Sequence, residues 1–406
     1  MKVEILSIGD ELLIGETVNT NAAFIAQKLT DLGISIPWIS TIGDDRECLL
    51  EAITTAEKRA DIVIVTGGLG PTHDDITKKV FAEYFNSELI LDEKIMESLR
   101  ERFRKRNIPM ANSNKEQALI PHNAQIIRNE VGTASGLLFE KVGKYFFVLP
   151  GVPAEMKFMM NSFVVPFLKT KTTTFYKKRI IHTAGLPEST LFEQLGNVDE
   201  LEQTAKIAFL PTNGGVDIRI SKIGSSEKKC KMCVAQVEKV FQQKFDRYIW
   251  GKDSETLEEK IAEILVQQKK TISLIEVGIN GALAARFSNS PTAQKALHQA
   301  ITFGSMDSLI IHFQLTSDML EPDGFVSKQG VKEVALALRT ASSSDIGLVI
   351  IHEEGREKTT KICFSDARET LCEQFVFNLT PSINLHRIVT MALKLLYGHL
   401  TGQKIS

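Results

Sequence analysis

The chain has 406 residues, a formal net charge of −2 and five cysteines. Its length suits roughly two to four domains. The near-neutral charge makes no electrostatic case for a nucleic-acid partner or an anionic membrane, and five cysteines in so long a chain are no disulfide framework, the odd number fitting a reducing compartment.

The first residues, MKVEILSIGDELL, start a strand at once and carry Glu4 and Asp10, so no signal peptide is expected. No run reaches the ~18 apolar residues of a membrane span. A cytoplasmic protein is therefore expected. Lys2 to Ile8 reads as a strand ending at Gly9, Asp10 and Glu11. Asn19 to Leu32 follows as an amphipathic helix stopped by Gly33. Ile34 to Ile39 is a second strand, and Gly43, Asp44 and Asp45 lead into a helix through about Lys58.

Asp61 to Val65 (DIVIV) reads as a buried strand. It runs into TGGLGPTHDDIT, where Gly67, Gly68 and Gly70 let the backbone approach a ligand closely. Thr72 is expected to cap a helix from about Asp75 to Phe85, and a helix start there would attract phosphate. Asp74 and Asp75 would repel a bare phosphate, so the stretch points to a phosphate together with an oxygen-bound divalent cation. The bland alternative is a tight turn with a solvated acidic pair. The βαβαβ order argues a mostly parallel sheet with helices on both faces and ligands beyond the carboxyl ends of its strands. Gly9 to Glu11, Asp44 and Gly67 to Asp75 should share that rim.

Leu91 to Arg106 is a further helix with a basic end, which dipole and solvation explain more cheaply than a ligand-facing patch. Asn114 to Gln117 and the small turn Gly132 to Gly136 follow, then strands at Leu137 to Phe139 and Tyr145 to Leu149. Gly151 to Met156 opens a helix in which Glu155 suits the positive end, or serves an active site at a strand-end turn. Residues 172–250 read as a small α+β spacing unit, and Cys230 with Cys233 as a plain helical pair. The rest returns to α/β order, with strands Ile272 to Ile275 and Gly347 to Ile351 and a closing helix Asn384 to Tyr397. No nucleophile–base pairing emerges there, and His352 with Glu353 reads as a solvated loop.

The pieces SIGDELLIGETVNTNAAFIAQKL, ADIVIVTGGLGPTHDDITKKV, NKEQALIP, VGTASG and LPGVPAEM together resemble the bacterial competence/damage-inducible CinA family. The first domain, 1–170, resembles the molybdopterin-binding (MoaB/Mog-type) fold, with Ser135 where the family has proline. Residues 171–252 resemble the family's KH-like connecting domain, without a GXXG clamp, and 253–406 its C-terminal domain. The resemblance implies two three-layer α/β/α domains flanking a small α+β one. It also implies a homodimer, a small nucleotide substrate, and ADP-ribose pyrophosphatase activity in the first domain. For that activity Asp10, Asp44, Asp74 and Asp75 would hold a divalent ion such as Mg2+, Mn2+ or Co2+. Gly9, Gly67, Gly68, Gly70 and Thr72 would hold phosphate, with Glu11 or Glu155 as base and Asp10 and Asp75 in the catalytic set. A molybdopterin-like ligand or a noncatalytic scaffold are the competing readings. In the last domain the family's AESCTGG motif becomes Ile275 to Gly281, with Val277 at the catalytic serine position. Ser308 stands where the lysine would be, and Val349 to Gly355 replace the glycine-rich turn. Loss of nicotinamide-nucleotide deamidation is expected.

Overall fold

A computed structural model describes all residues except 74, 106, 213, 323, 355–357, 377–380 and 403–406. Asp74, one of the four expected metal ligands, therefore lies outside the described residues. The chain forms two compact units, Met1–Lys177 with Ile223–Lys231, and Lys178–Lys222 with Met232–Ser406.

The first unit alternates strand and helix: β1 (Lys2–Ile8), the one-turn α1 (Asp10–Leu13), α2 (Thr20–Asp31), β2 (Ser35–Ile42), α3 (Arg46–Arg59), β3 (Ile62–Thr66) and α4 (Thr77–Tyr84). Then come β4 (Leu89–Leu91), α5 (Glu93–Lys105), β5 (Leu119–Pro121), β6 (Gln125–Ile127), β7 (Gly136–Lys141) and β8 (Lys144–Leu149). α6 (Pro153–Met159) and α7 (Val165–Lys171) close it, joined by a π-helical turn. The sheet order is β2-β1-β3-β8-β7-β6. The first four strands are parallel and the last two antiparallel.

Period-2 alternation explains the layers. Val3, Ile5, Ile62, Ile64 and Phe147 pack with α2 and α6 on one face. Leu6, Ile8, Val63, Val65, Phe146 and Val148 pack with α3 and α4 on the other. With the four parallel strands in this order, their carboxyl ends, Ile8, Ile42, Thr66 and Leu149, share one rim. The N–H of Gly9 bonds Ile42 O at 3.0 Å and that of Gly67 bonds Leu149 O at 3.1 Å, extending the ladder into the loops.

After β9 (Phe175–Thr183) come α8 (Glu188–Leu195), α9 (Val198–Thr204), β10 (Lys206–Thr212), β11 (Gly215–Gly224), α10 (Glu227–Phe245) and β12 (Ile249–Lys252). These strands form a small sheet in the order β10-β11-β9-β12. On it the buried His182 stacks on Trp250, ring centroids 4.7 Å apart. Its Nδ1 faces Asp217 Oδ1 and its Nε2 faces the Asp253 carbonyl, both at 2.8 Å.

The remainder is a second three-layer α/β/α domain. Its elements are α11 (Leu257–Gln267), β13 (Ile272–Val277), α12 (Ala282–Ser288), α13 (Pro291–Ala296), β14 (Leu297–Phe303), α14 (Met306–Phe313), α15 (Lys328–Ser342), β15 (Ile346–Glu354), β16 (Lys358–Ser365), β17 (Thr370–Val376) and α16 (Pro381–Thr401). The sheet order is β14-β13-β15-β16-β17, with β14, β13 and β15 parallel. Cys363 and Cys372 stand opposite one another on β16 and β17, Cα atoms 4.0 Å apart, and are joined as a disulfide, whereas Cys48, Cys230 and Cys233 are free. Cross-strand register brings these two sulfurs together, which cysteine spacing does not reveal. Among the described residues, no helix is long and apolar enough to cross a membrane.

Candidate active site

The rim of the first unit carries two separate carboxylate arrangements. Asp10 and Asp44 follow β1 and β2 and are tied reciprocally. The N–H of Asp10 donates to Asp44 Oδ2 at 3.1 Å, and the N–H of Asp44 donates to Asp10 Oδ1 at 3.2 Å. Gly43 is needed for this approach, since a Cβ there would stand 2.4 Å from Asp10 Oδ1. Glu11 is exposed and folds back over Gly9, where a Cβ would lie 2.5 Å from its carboxylate.

Asp75 belongs to the glycine turn instead. Its Oδ2 accepts from the N–H of Thr72 at 2.9 Å and from the Thr72 hydroxyl. Thr72 thus caps no helix. α4 begins two residues beyond Asp75, at Thr77, with Ile76 as its N-cap and no side-chain cap bond. The Asp75 carboxylate holds the loop closed, which delays the helix. Gly67 and Gly68 adopt φ of 119° and 67°, the region that suits glycine. A Cβ on Gly67 would meet Ile8 O at 2.2 Å, and one on Gly68 would meet Thr77 Oγ1 at 2.1 Å. Beneath the turn, Ser7 Oγ and Thr77 Oγ1 are buried without a hydrogen-bond partner. Asn21 ties the rim across strands, its Nδ2 donating to Thr66 Oγ1 at 3.1 Å and Gly151 O at 2.7 Å.

Gly68, Gly70, Asp75, Gln117, Thr133 and Glu155 line one cleft of about 320 Å³. Pro153 starts α6 and places Glu155 in its first turn. Burial raises the Glu155 pKa above its ordinary value, outweighing the Asn129 amide that donates to the carboxylate. Asn129 also donates to Ala134 O at 2.8 Å, and its Oδ1 accepts from the N–H groups of Val131 and Gly132. A Cβ on Gly132 would overlap the Glu155 carboxyl group. Lys78, on α4, donates to Glu116 O, and burial lowers its pKa to about 8.

Glu155, Asp75, Gly68 and Gly70 therefore share a cleft, while Asp10 and Asp44 pair with each other. Among the described residues, no three His, Cys, Asp or Glu form a group that could hold a metal ion. The oxygen-only donors still suit a hard cation of the Mg2+ type, which takes one or two carboxylates and fills its shell with water and substrate phosphate. Asn21, Lys78 and Asn129 escaped the sequence reading. Gln117 and Thr133 fell inside stretches noted without a chemical role.

The rim of the last domain differs from its expectation. His352 and Glu353 are not a solvated loop; they sit on β15, 8% and 5% exposed. The antiparallel β16 supplies their partners. His352 Nδ1 meets Thr360 Oγ1 at 2.8 Å, and the fully buried Lys361 lies 3.3 Å from Glu353 and 3.0 Å from Glu321. Glu276 accepts from the N–H groups of Leu283 and Ala284, at the start of α12. Burial raises its pKa in spite of those bonds. Ser305 Oγ caps α14 by accepting from the N–H of Ser308 at 3.2 Å, and meets Ser308 Oγ at 2.9 Å.

Three family models match the chain: a molybdopterin binding domain over residues 4–170, the CinA KH domain over 178–251 and the CinA C-terminal domain over 254–400. A relative from Alkaliphilus metalliredigens, named as competence-damage inducible, is 36% identical over 350 residues, covering 86% of this chain and 85% of that protein. A CinA-like protein of Dictyoglomus turgidum is 33% identical over 348 residues, with the same coverage. A solved CinA structure from Thermoplasma acidophilum, described as of unknown function, is 36% identical, with a TM-score of 0.37 over 40% of this chain and 94% of its own.

Proposed function

The chain belongs to the bacterial CinA family, and from that premise we propose that its first domain hydrolyses the diphosphate bond of ADP-ribose or a related nucleotide diphosphate. The observation that carries this reading is the single cleft in which Glu155, its pKa raised, faces the glycine turn and Asp75.

In this reading the backbone N–H groups of the turn receive phosphate oxygens, which the absence of Cβ atoms allows. Glu155, held by Asn129, takes a proton from the attacking water. The water oxygen forms one new P–O bond, one bridging P–O bond breaks, and the bridging oxygen departs on the other phosphate. The products are a nucleoside monophosphate and a sugar phosphate. Asp75 on the cleft side, or the Asp10–Asp44 pair, would hold a divalent cation such as Mg2+, Mn2+ or Co2+. Such an ion neutralises phosphate charge and lowers the pKa of water. Glu11 is the weaker candidate for the base, because it is exposed and folded over Gly9.

The last domain is proposed to lack nicotinamide-nucleotide deamidase activity. Val277 has no hydroxyl, Ser305 caps a helix, and Glu276 is committed to the start of α12. A second reading, a molybdopterin-like ligand in the same cleft, is favoured by the match of the first family model. Incubating the full chain and divalent metal with ADP-ribose, molybdopterin precursors and nicotinamide mononucleotide separates these. Release of AMP and ribose 5-phosphate, and no ammonia, is expected. Tight precursor binding without ADP-ribose cleavage would favour the second reading.

A further inference from the structure

A larger cavity, about 580 Å³, is walled by α5 and the segment 126–135. Thr133 lines both this cavity and the Glu155 cleft, so the two hollows meet at one turn. Their charge balance differs. The cleft presents the carboxylates of Asp75 and Glu155. The cavity presents Lys94, Arg102 and Arg128 around the apolar side chains of Ile95, Leu99 and Ile126.

Asp92 and Glu130 also line the cavity, so two carboxylates face three cationic side chains and a net positive charge remains. Asp92 Oδ1 accepts from the N–H groups of Lys94 and Ile95, both at 2.9 Å. Arg102 is fixed by a 2.8 Å bond to Asn129 O, so the residue that holds Glu155 also holds one of the cavity's two guanidinium groups. Planar guanidinium groups beside apolar side chains suit a heterocyclic base, and cations suit the phosphate it carries. The volume falls in the range of small-molecule sites.

We infer that this cavity holds the nucleoside half of a two-headed, diphosphate-bridged substrate, with the diphosphate at the Thr133 junction and the other sugar in the smaller cleft. The inference rests on the hydrolytic reading of that cleft. It gives Arg102, at the basic end of α5, a ligand-facing role beyond helix dipole and solvation.

The test is calorimetric titration of the full chain, with Mg2+ present, by AMP and separately by ribose 5-phosphate. The variants are Arg128→Ala and Ser98→Trp. Both positions are exposed and line the cavity, so a change at either leaves the core untouched. Each variant should weaken AMP binding by about tenfold or more while ribose 5-phosphate affinity stays within about twofold. AMP affinity unchanged in both variants would overturn the inference. So would loss of ribose 5-phosphate binding instead, or an unmodified chain that does not bind AMP. ADP-ribose turnover, measured separately, tests the hydrolytic reading, so the two failures are distinguishable.

Discussion

Asn129 uses its whole side chain to fix one carboxylate and one loop. Its Nδ2 serves Glu155 and Ala134 O, and its Oδ1 gathers two backbone N–H groups. A hydrogen bond donated to a carboxylate favours the charged form. Asn129 therefore holds the Glu155 pKa below where burial alone would put it, though the net shift remains upward. If Glu155 is the base, activity falls as pH drops through its raised pKa. Asn129→Ala should move the acid limb of kcat/KM to higher pH, besides lowering the plateau by roughly 10- to 100-fold. A purely structural role would lower the plateau and leave the limb in place. The place of Glu155 in the first turn of a helix was legible in the sequence, because it follows a strand and a proline at a helix start. Asn129 was not, because the carboxylate it holds lies 26 positions away and Arg102 lies 27 positions away.

The glycine turn was the most legible element, since three glycines after a β-branched strand have few other uses. What was misread is where the next helix starts. Thr72 and Asp75 have the spacing of a cap and its acid, but here the acid closes the loop and the helix begins at Thr77. Gly68→Ala should cost roughly 1–3 kcal/mol through its positive φ, with a further loss from overlap with Thr77. It should also abolish turnover. Adding Thr77→Ala should recover part of the melting temperature, because only the overlap is relieved, and unchanged stability in the single variant would contradict the geometry.

The β9–β12 pairing carries a second testable device. Burial pulls the His182 pKa down, but the bonds to Asp217 and the Asp253 carbonyl outweigh it, so the net shift is upward. Both ring nitrogens face acceptors, so the imidazolium satisfies both. Nearby, Glu255 adds negative charge to the cavity that His182 lines, and Arg286 there is paired with Glu258. A raised folded pKa gives stability that is full below the unfolded value near 6.5 and lost as pH rises through the folded value. Thermal melts should therefore show stability falling above neutral pH, and His182→Gln should flatten that dependence. The polar ends of β15 illustrate why such features escape a single sequence. His352 and Glu353 look like loop residues until β16 brings Thr360 opposite His352 and Lys361 within diagonal reach of Glu353.

For the molecule as a whole, the α/β/α–α+β–α/β/α order was readable because each segment keeps its own periodicity. Cross-strand register and cleft contacts between distant segments were not. We propose a homodimer, the assembly the family resemblance implies. Light scattering at micromolar concentration should give about twice the 45.2 kDa chain mass, and a single 45.2 kDa species would remove the dimer.

The hydrolytic reading stands on one measurement: AMP and ribose 5-phosphate released from ADP-ribose by the full chain with Mg2+, Mn2+ or Co2+, compared with Glu155→Gln and Asp75→Asn. The expectation is metal-dependent turnover in the unmodified chain. Glu155→Gln should lower it by about 10²- to 10⁴-fold, and Asp75→Asn should abolish it, with both variants melting as folded proteins. Absence of turnover with every metal, or full turnover in both variants, would contradict it.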